Sequence, residues 1–246
     1  MTERHPEVLV GDDPTLQARL CAIIDAAARR AARDGRRWSV AVPGGSVAAR
    51  LLPALAAAEI PWSQGDLFWV DERVVPWSHP ESNYGAARAG WLRALEGSAL
   101  RVHPVPVEAP SLAECAERYE ATVRACLGPR ATLDVAILGV GEDGHVASLF
   151  PGHDAALDST RLVVPVEGAP KPPPARVSLT MPVLARAHAV VVAAYGDAKR
   201  PVIAEAVRGA SPGEGHRLPV ARLVQASPRV ILLLDRAAAP DGGAAA

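Results

Sequence analysis

The stretch LGVGEDGHVASLFPG at 138–152 leaves an apolar run through four glycines and sets Asp143 two residues before His145. An imidazole accepts a proton near neutral pH, so His145 is the natural general base for activating a water. Asp143 can fix its tautomer or order the hydroxyls of a substrate. Adjacent glycines leave room for a ligand, and a helix expected to start near Val146 would aim N–H groups at a developing oxyanion. The plain alternative is a histidine in a glycine-rich structural turn. Ser148 follows His145, but GHVAS is not the GxSxG elbow of an acyl-enzyme hydrolase. No HExxH is present and no third ligand stands at metal spacing, so base-directed water attack is the simpler chemistry.

Three more polar corners accompany this one. Pro43-Gly44-Gly45-Ser46 joins a strand-like run to a helical one, where two glycines allow close backbone approach and Ser46 can cap the helix. The N–H groups of that helix start suit a phosphate, although a tight turn alone would read the same way. It matches neither GxGxxG nor GxxxxGK[ST], so no dinucleotide or ATP site is inferred. Asp71, Glu72 and Arg73 end the apolar run LFWV, where charge is costly unless solvated or paired. Arg73 offers a fork of donors for oxyanions. Asn83 and Tyr84 can close over such a site or simply cap and pack the next helix. Arg176 opens RVSLT and Lys199 lies in GDAK; each is either a surface cation or one of a set that meets the PGGS corner to hold a doubly charged phosphate.

These corners need a scaffold, and the periodicity supplies one. Helices are expected over 15–34, 47–58, 82–95, 111–127 and 197–208, the fourth with a capping box at Ser111 and Glu114. Short β-branched runs lie at 38–42, 67–70, 133–141, 163–166, 176–180, 189–195 and 229–235. Continuous rather than alternating apolar character points to a mostly parallel sheet with helices on both faces, an α/β fold of three layers. In such a sheet ligands bind where loops leave the C-terminal ends of the strands, which is where the polar corners fall. One domain is expected over 1–236, followed by a disordered tail, AAAPDGGAAA, at 237–246.

Composition narrows the class. The 246 residues carry 26 basic and 27 acidic side chains, a balance that asks for neither nucleic acid nor a membrane surface. Cys21, Cys115 and Cys126 have neither the number nor the spacing of a disulfide framework or zinc site. The opening MTERHPEVLV lacks the pattern of a secretory signal, and no apolar run is long enough to span a bilayer. A soluble, cytoplasmic protein is expected.

PGGS (43–46), FWVDERVVPWSHPESNYG (68–85), LGVGEDGHVASLFPG (138–152), RVSLTMPVL (176–184) and GDAK (196–199) together resemble the 6-phosphogluconolactonase family, within the wider glucosamine-6-phosphate isomerase/deaminase-like group. The resemblance implies a Rossmann-like fold without a nucleotide or metal cofactor. It implies hydrolysis of 6-phospho-D-glucono-1,5-lactone to 6-phospho-D-gluconate in the oxidative pentose phosphate pathway. On that resemblance His145 is the base and Asp143 its supporting acid. Gly44, Gly45, Ser46, Asp71, Arg73, Arg176 and Lys199 hold the phosphate or hydroxyls. The partner implied is a small phosphorylated sugar lactone, met by a monomer or small homo-oligomer. Two features turn away from the deaminase branch: Phe150 stands where those enzymes carry a glutamate before proline, and Arg73 where they tend to carry tyrosine. Val47 also departs from relatives with a hydroxyl residue after the serine.

Overall fold

The computed structural model describes residues 5–208 and 218–240. In chain order its elements are β1 (Glu7–Val10), α1 (Asp13–Arg33), β2 (Trp38–Val42), α2 (Gly45–Ala57), β3 (Gly65–Trp69), β4 (Asp71–Arg73), α3 (Asn83–Ala89), β5 (Arg101–His103), α4 (Leu112–Leu127), β6 (Val135–Gly139), β7 (Val163–Val166), β8 (Arg176–Leu179), α5 (Met181–Ala185), β9 (Ala189–Ala194), α6 (Arg200–Arg208), α7 (Pro219–Ala226) and β10 (Val230–Leu234). Seven strands form one parallel sheet in the order β1-β10-β9-β6-β2-β3-β5.

The sheet is buried on both faces, which is why its strands read as unbroken apolar runs. Val40, Val42, Leu67, Trp69, Val135, Ile137, Val191, Ile231 and Leu233 turn to the side of α1 and α2. Their neighbours Ala41, Phe68, Ala136, Leu138, Val190, Val192, Leu232 and Leu234 turn to the side of α4 to α7. Each such Val or Leu, fully buried, contributes roughly 1.5–3 kcal/mol. Local signals agree with the packing: Asp12 caps α1, Ser82 caps α3 and Ser111 caps α4, each side chain accepting from an N–H in the first turn.

Three expectations are corrected. The runs at 163–166 and 176–180 do not join the parallel sheet; β7 and β8 pair antiparallel with each other and with β4 in a separate three-stranded sheet. The segment between them holds no crossover helix, which parallel neighbours require. Ser46 is not the cap of α2: Gly44 takes that position, and no side chain caps the helix. The tail begins ordered. Ala238 is fully buried and its N–H donates to the Asp235 carboxylate, because the chain turns back onto the core after β10. Residues 241–246 lie outside those described.

Strand order reverses between β6 and β2: from β2 the chain builds outward through β3 to β5, and from β6 outward through β9 to β10. That reversal opens a crevice between the loops that follow β2 and β6. Those loops carry Gly44–Ser46 and Asp143–His145.

Candidate active site

A cleft of ≈ 180 Å³ occupies that crevice. Its walls bring together Gly44, Gly45 and Ser46 from the β2–α2 turn, Asp71 and Arg73 from β4, and His145. Arg176 from β8 and Lys199, beyond β9, complete the polar lining with Asn83 and Tyr195.

The loop that carries His145 is tightly tied. Val140 bridges to Val146, Gly141 N–H donates to the His145 carbonyl at 2.9 Å, and Gly144 N–H donates to the Gly141 carbonyl at 3.0 Å. Val146 and Leu149 are fully buried and anchor the loop in the core. No helix starts at Val146. A turn closed by the Val146–Leu149 bridge stands there, with Ala147 at φ +51°, so the expected helix N-terminus is absent.

His145 Nδ1 lies 2.5 Å from Asp143 Oδ1. With the proton on Nδ1 donated to that carboxylate, Nε2 is left as an acceptor, the arrangement a general base needs. Burial pushes the His145 pKa below its ordinary value; Asp143 opposes that shift without cancelling it, and Lys171 adds to the lowering. The ring is therefore neutral, and able to take a proton, at neutral pH. Burial alone would raise the Asp143 carboxyl, but attraction to and hydrogen bonding with His145 outweigh it and hold the group below its usual range. A β-carbon at Gly141 would sit 2.0 Å from His145 Nδ1 and 2.3 Å from Asp143 Oδ1, so this pair requires glycine at that position.

Cations face it. Arg73 and Arg176 are cross-strand partners in register, an opposition of like charges that costs stability in a plain sheet. Arg73 Nη1 reaches the carbonyl and carboxylate of Glu81 at 3.0 and 3.2 Å, while its buried Nε has no partner among the described residues. Arg176 is 4% exposed, and burial, joined by Arg73, lowers its pKa. Among the described residues its hydrogen bonds go to the carbonyls of Lys171, Pro172 and Pro173 and the Ser148 hydroxyl, none to a carboxylate. Among the described residues Lys199 makes only a loose pair, with the exposed Glu142 at 3.6 Å. Together with the open N–H groups at the start of α2, these charges suit a dianion.

The wall is held by residues behind it. Glu72, fully buried, accepts from the N–H groups of Arg73, Asn83 and Tyr84 at 2.7, 2.8 and 2.7 Å and from Ser82 Oγ at 3.2 Å. Burial raises its pKa against those hydrogen bonds. The Asn83 amide donates to the Asp71 carbonyl at 2.9 Å and lies so close to Gly44 that a β-carbon there would fall 1.7 Å from its oxygen. The Tyr119 hydroxyl bonds both the N–H and the carbonyl of Trp69, holding the point where the chain passes from the parallel sheet into β4.

Residues 11–232 match the family model described as glucosamine-6-phosphate isomerases/6-phosphogluconolactonase. The chain belongs to that family. It is 36% identical to the 6-phosphogluconolactonase of Streptomyces coelicolor, the match covering 95% of this chain and 94% of that one. It is 35% identical to that of Mycobacterium tuberculosis, over 95% and 96% of the two chains. The 6-phosphogluconolactonase structure from Trypanosoma cruzi superposes with a TM-score of 0.82 at 27% identity, over 96% of this chain and 98% of that one. The one from Leishmania guyanensis gives 0.83 at 26%, over 98% and 100%.

Within this family fold, Gly44, Gly45, Ser46, Asp71, Arg73, Arg176 and Lys199 line the cleft together with Asn83. Asp143 stands beside His145 just outside its wall, whereas the Tyr84 ring packs against Trp69 and Trp77 and does not line the cleft. Tyr195 went unnoticed. It ends the β9 run as Asp71 ends that of β3, so its place at a strand's C-terminal end was a usable signal. Arg50 lies over its ring at 3.9 Å, and burial pushes the phenol up to about 12. Phe150 is 2% exposed with its ring 4.6 Å from that of His145, packing where the deaminase glutamate would stand. Away from the cleft, Asp66, His103 and Cys126 are the described residues whose possible metal donors converge. There Arg37 and His103 already occupy the Asp66 carboxylate at 2.7 and 2.8 Å, an ion-pair cluster at the sheet edge.

Proposed function

We infer that the chain hydrolyses 6-phospho-D-glucono-1,5-lactone to 6-phospho-D-gluconate, the lactone-opening step of the oxidative pentose phosphate pathway. The observation that carries the reading is the His145–Asp143 pair at 2.5 Å, set in a cleft lined by Arg73, Arg176, Lys199 and the start of α2. In the mechanism we propose, Nε2 of His145 takes a proton from water as its oxygen attacks the lactone C1. Asp143 stabilises the imidazolium that forms. The tetrahedral oxyanion then collapses, the bond from C1 to the ring oxygen breaks, and the imidazolium returns its proton to that oxygen. Gly44–Ser46, Arg73, Arg176 and Lys199 hold phosphate and hydroxyls so that C1 faces the base, a positioning role. Asp71 accepts from a hydroxyl.

An ester this reactive needs a base and a fixed geometry rather than a full nucleophilic triad. We propose action in the cytoplasm as a monomer or small homo-oligomer, the three unpaired thiols fitting a reducing compartment. No helix among the described residues is long and apolar enough to cross a membrane.

The test is hydrolysis of freshly generated lactone, followed above its spontaneous rate, by wild type and His145→Asn. Rapid turnover by wild type that collapses in the variant is expected. A folded wild type that gives no acceleration would reject the reading, and ammonia release from glucosamine 6-phosphate would then be measured.

A further inference from the structure

Behind the cleft wall lies a buried polar group with no role in the mechanism above. Ser148 is fully buried, three residues beyond the base. Its hydroxyl donates to Asp71 Oδ2 at 2.7 Å and accepts from Arg176 Nη1 at 3.5 Å. Its N–H donates to the Ser178 hydroxyl at 3.3 Å, which in turn donates to the Leu179 carbonyl at 3.0 Å. One side chain on the base-bearing loop thus touches a carboxylate on β4 and a guanidinium on β8.

Asp71 and Arg176 are 6% and 4% exposed and sit diagonally across β4 and β8, two positions apart on the same face, since Asp71 pairs with Ser178 and Arg73 with Arg176. A carboxylate and a guanidinium that share one buried hydroxyl attract each other across a medium of low dielectric, which favours a direct ion pair. They do not form one. The hydroxyl stands between them, and the remaining guanidinium donors are drawn away by the carbonyls of Lys171 and Pro173 at 2.8 and 3.0 Å.

We propose that Ser148 is a positioning residue that keeps Asp71 and Arg176 apart, so that both remain available to substrate. Its hydroxyl satisfies one oxygen of Asp71, leaving the other to accept a sugar hydroxyl. It also presents Arg176 to the cleft as a cation with no carboxylate bound to it. Without the hydroxyl, Asp71 closes on Arg176 and the pair neutralises itself in the empty site. Substrate then has to break that ion pair before it binds.

This proposal rests on the lactonase reading, and the experiment separates the two. Lactone hydrolysis is measured for wild type, Ser148→Ala, Ser148→Cys, and Ser148→Ala combined with Asp71→Asn. For Ser148→Ala, KM should rise about tenfold, the scale of one lost charge-assisted hydrogen bond. Its kcat should stay within about twofold, and the acid limb of the pH profile, which reports His145, should not move. Ser148→Cys, a weaker donor of similar size, should fall between, and it carries the test if the alanine variant does not fold. The double variant is read against Asp71→Asn alone, measured alongside, which loses its own contact with the substrate hydroxyl. With no charge left to collapse onto Arg176, removing the Ser148 hydroxyl should add no more than about twofold to the KM of Asp71→Asn. An unchanged KM in both Ser148 single variants overturns the proposal, as does a double variant whose KM penalty is the product of those of Ser148→Ala and Asp71→Asn. Absence of wild-type activity instead overturns the lactonase reading.

Discussion

Replacing Asp143 by asparagine tests the base most directly, because the substitution keeps size and removes only charge and acceptor symmetry. The bond to His145 Nδ1 is 2.5 Å, with the imidazole 17% and the carboxylate 39% exposed. A hydrogen bond to a charged group contributes about 1.5–3 kcal/mol, and the exposure of the carboxylate trims that to about 1–2 kcal/mol. Lost stabilisation of the imidazolium therefore accounts for roughly 5–30-fold in rate. Tautomer control adds to it. The new amide can donate to Nδ1, which leaves the ring proton on Nε2 and disables the base; the equivalent change costs about ten-thousandfold in a peptide-cleaving triad. A lactone demands less of its catalyst, so kcat/KM should fall by about a hundred- to a thousandfold. The pH profile gives an independent sign. Burial holds His145 below its ordinary value of 6.5 and the Asp143 carboxylate works against that lowering. Wild-type activity is lost as pH falls through the depressed His145 pKa. Removing the Asp143 charge takes away the group that favours the protonated ring, so the acid limb should move to still lower pH. Stopped assays of residual lactone across pH 5 to 8 measure both effects. Unchanged kcat/KM, or an acid limb that moves upward, would refute the reasoning.

Two further outcomes follow from the geometry. Gly141→Ala puts a β-carbon 2.0 Å from His145 Nδ1, so kcat should drop at least about a hundredfold while the melting temperature changes little; equal losses in both would point to a misfolded loop instead. Glu72→Ala strips the acceptor from three backbone N–H groups and the Ser82 hydroxyl in a fully buried position, and should cost about 3 kcal/mol or more in denaturant unfolding; a cost under about 1 kcal/mol would mean that water replaces the carboxylate.

Legibility differed with the range of the interaction. The central strands were read almost to the residue, since Trp38–Val42 matches its expected run and Ala189–Ala194 falls one residue short of its own, and burial on both faces makes each a continuous apolar block. Helix α4 was equally plain because its cap, Ser111 to the Glu114 N–H at 3.1 Å, is local. Strands β1, β4 and β5 were not recognised. They are three or four residues long, and what makes them strands is a partner elsewhere in the chain: Asp71–Arg73 exists as β4 only against β8. The His145–Asp143 couple was visible because the two residues lie two positions apart and bond to each other. Tyr195 and the hydroxyl of Ser148 were not visible, since their neighbours come from distant segments.

The amino-acid sequence by itself determined the layered α/β class, the polar corners at strand ends and the His145–Asp143 couple, because periodicity, capping and a two-residue spacing are properties of the chain alone. Tertiary structure decided the rest. It split β4, β7 and β8 from the main sheet, put Arg73 opposite Arg176, and closed Asn83 over Gly44. It also placed the Ser148 hydroxyl between the Asp71 carboxylate and the Arg176 guanidinium. Those arrangements depend on strand order and register, which segments far apart in the chain fix only when they pack against one another.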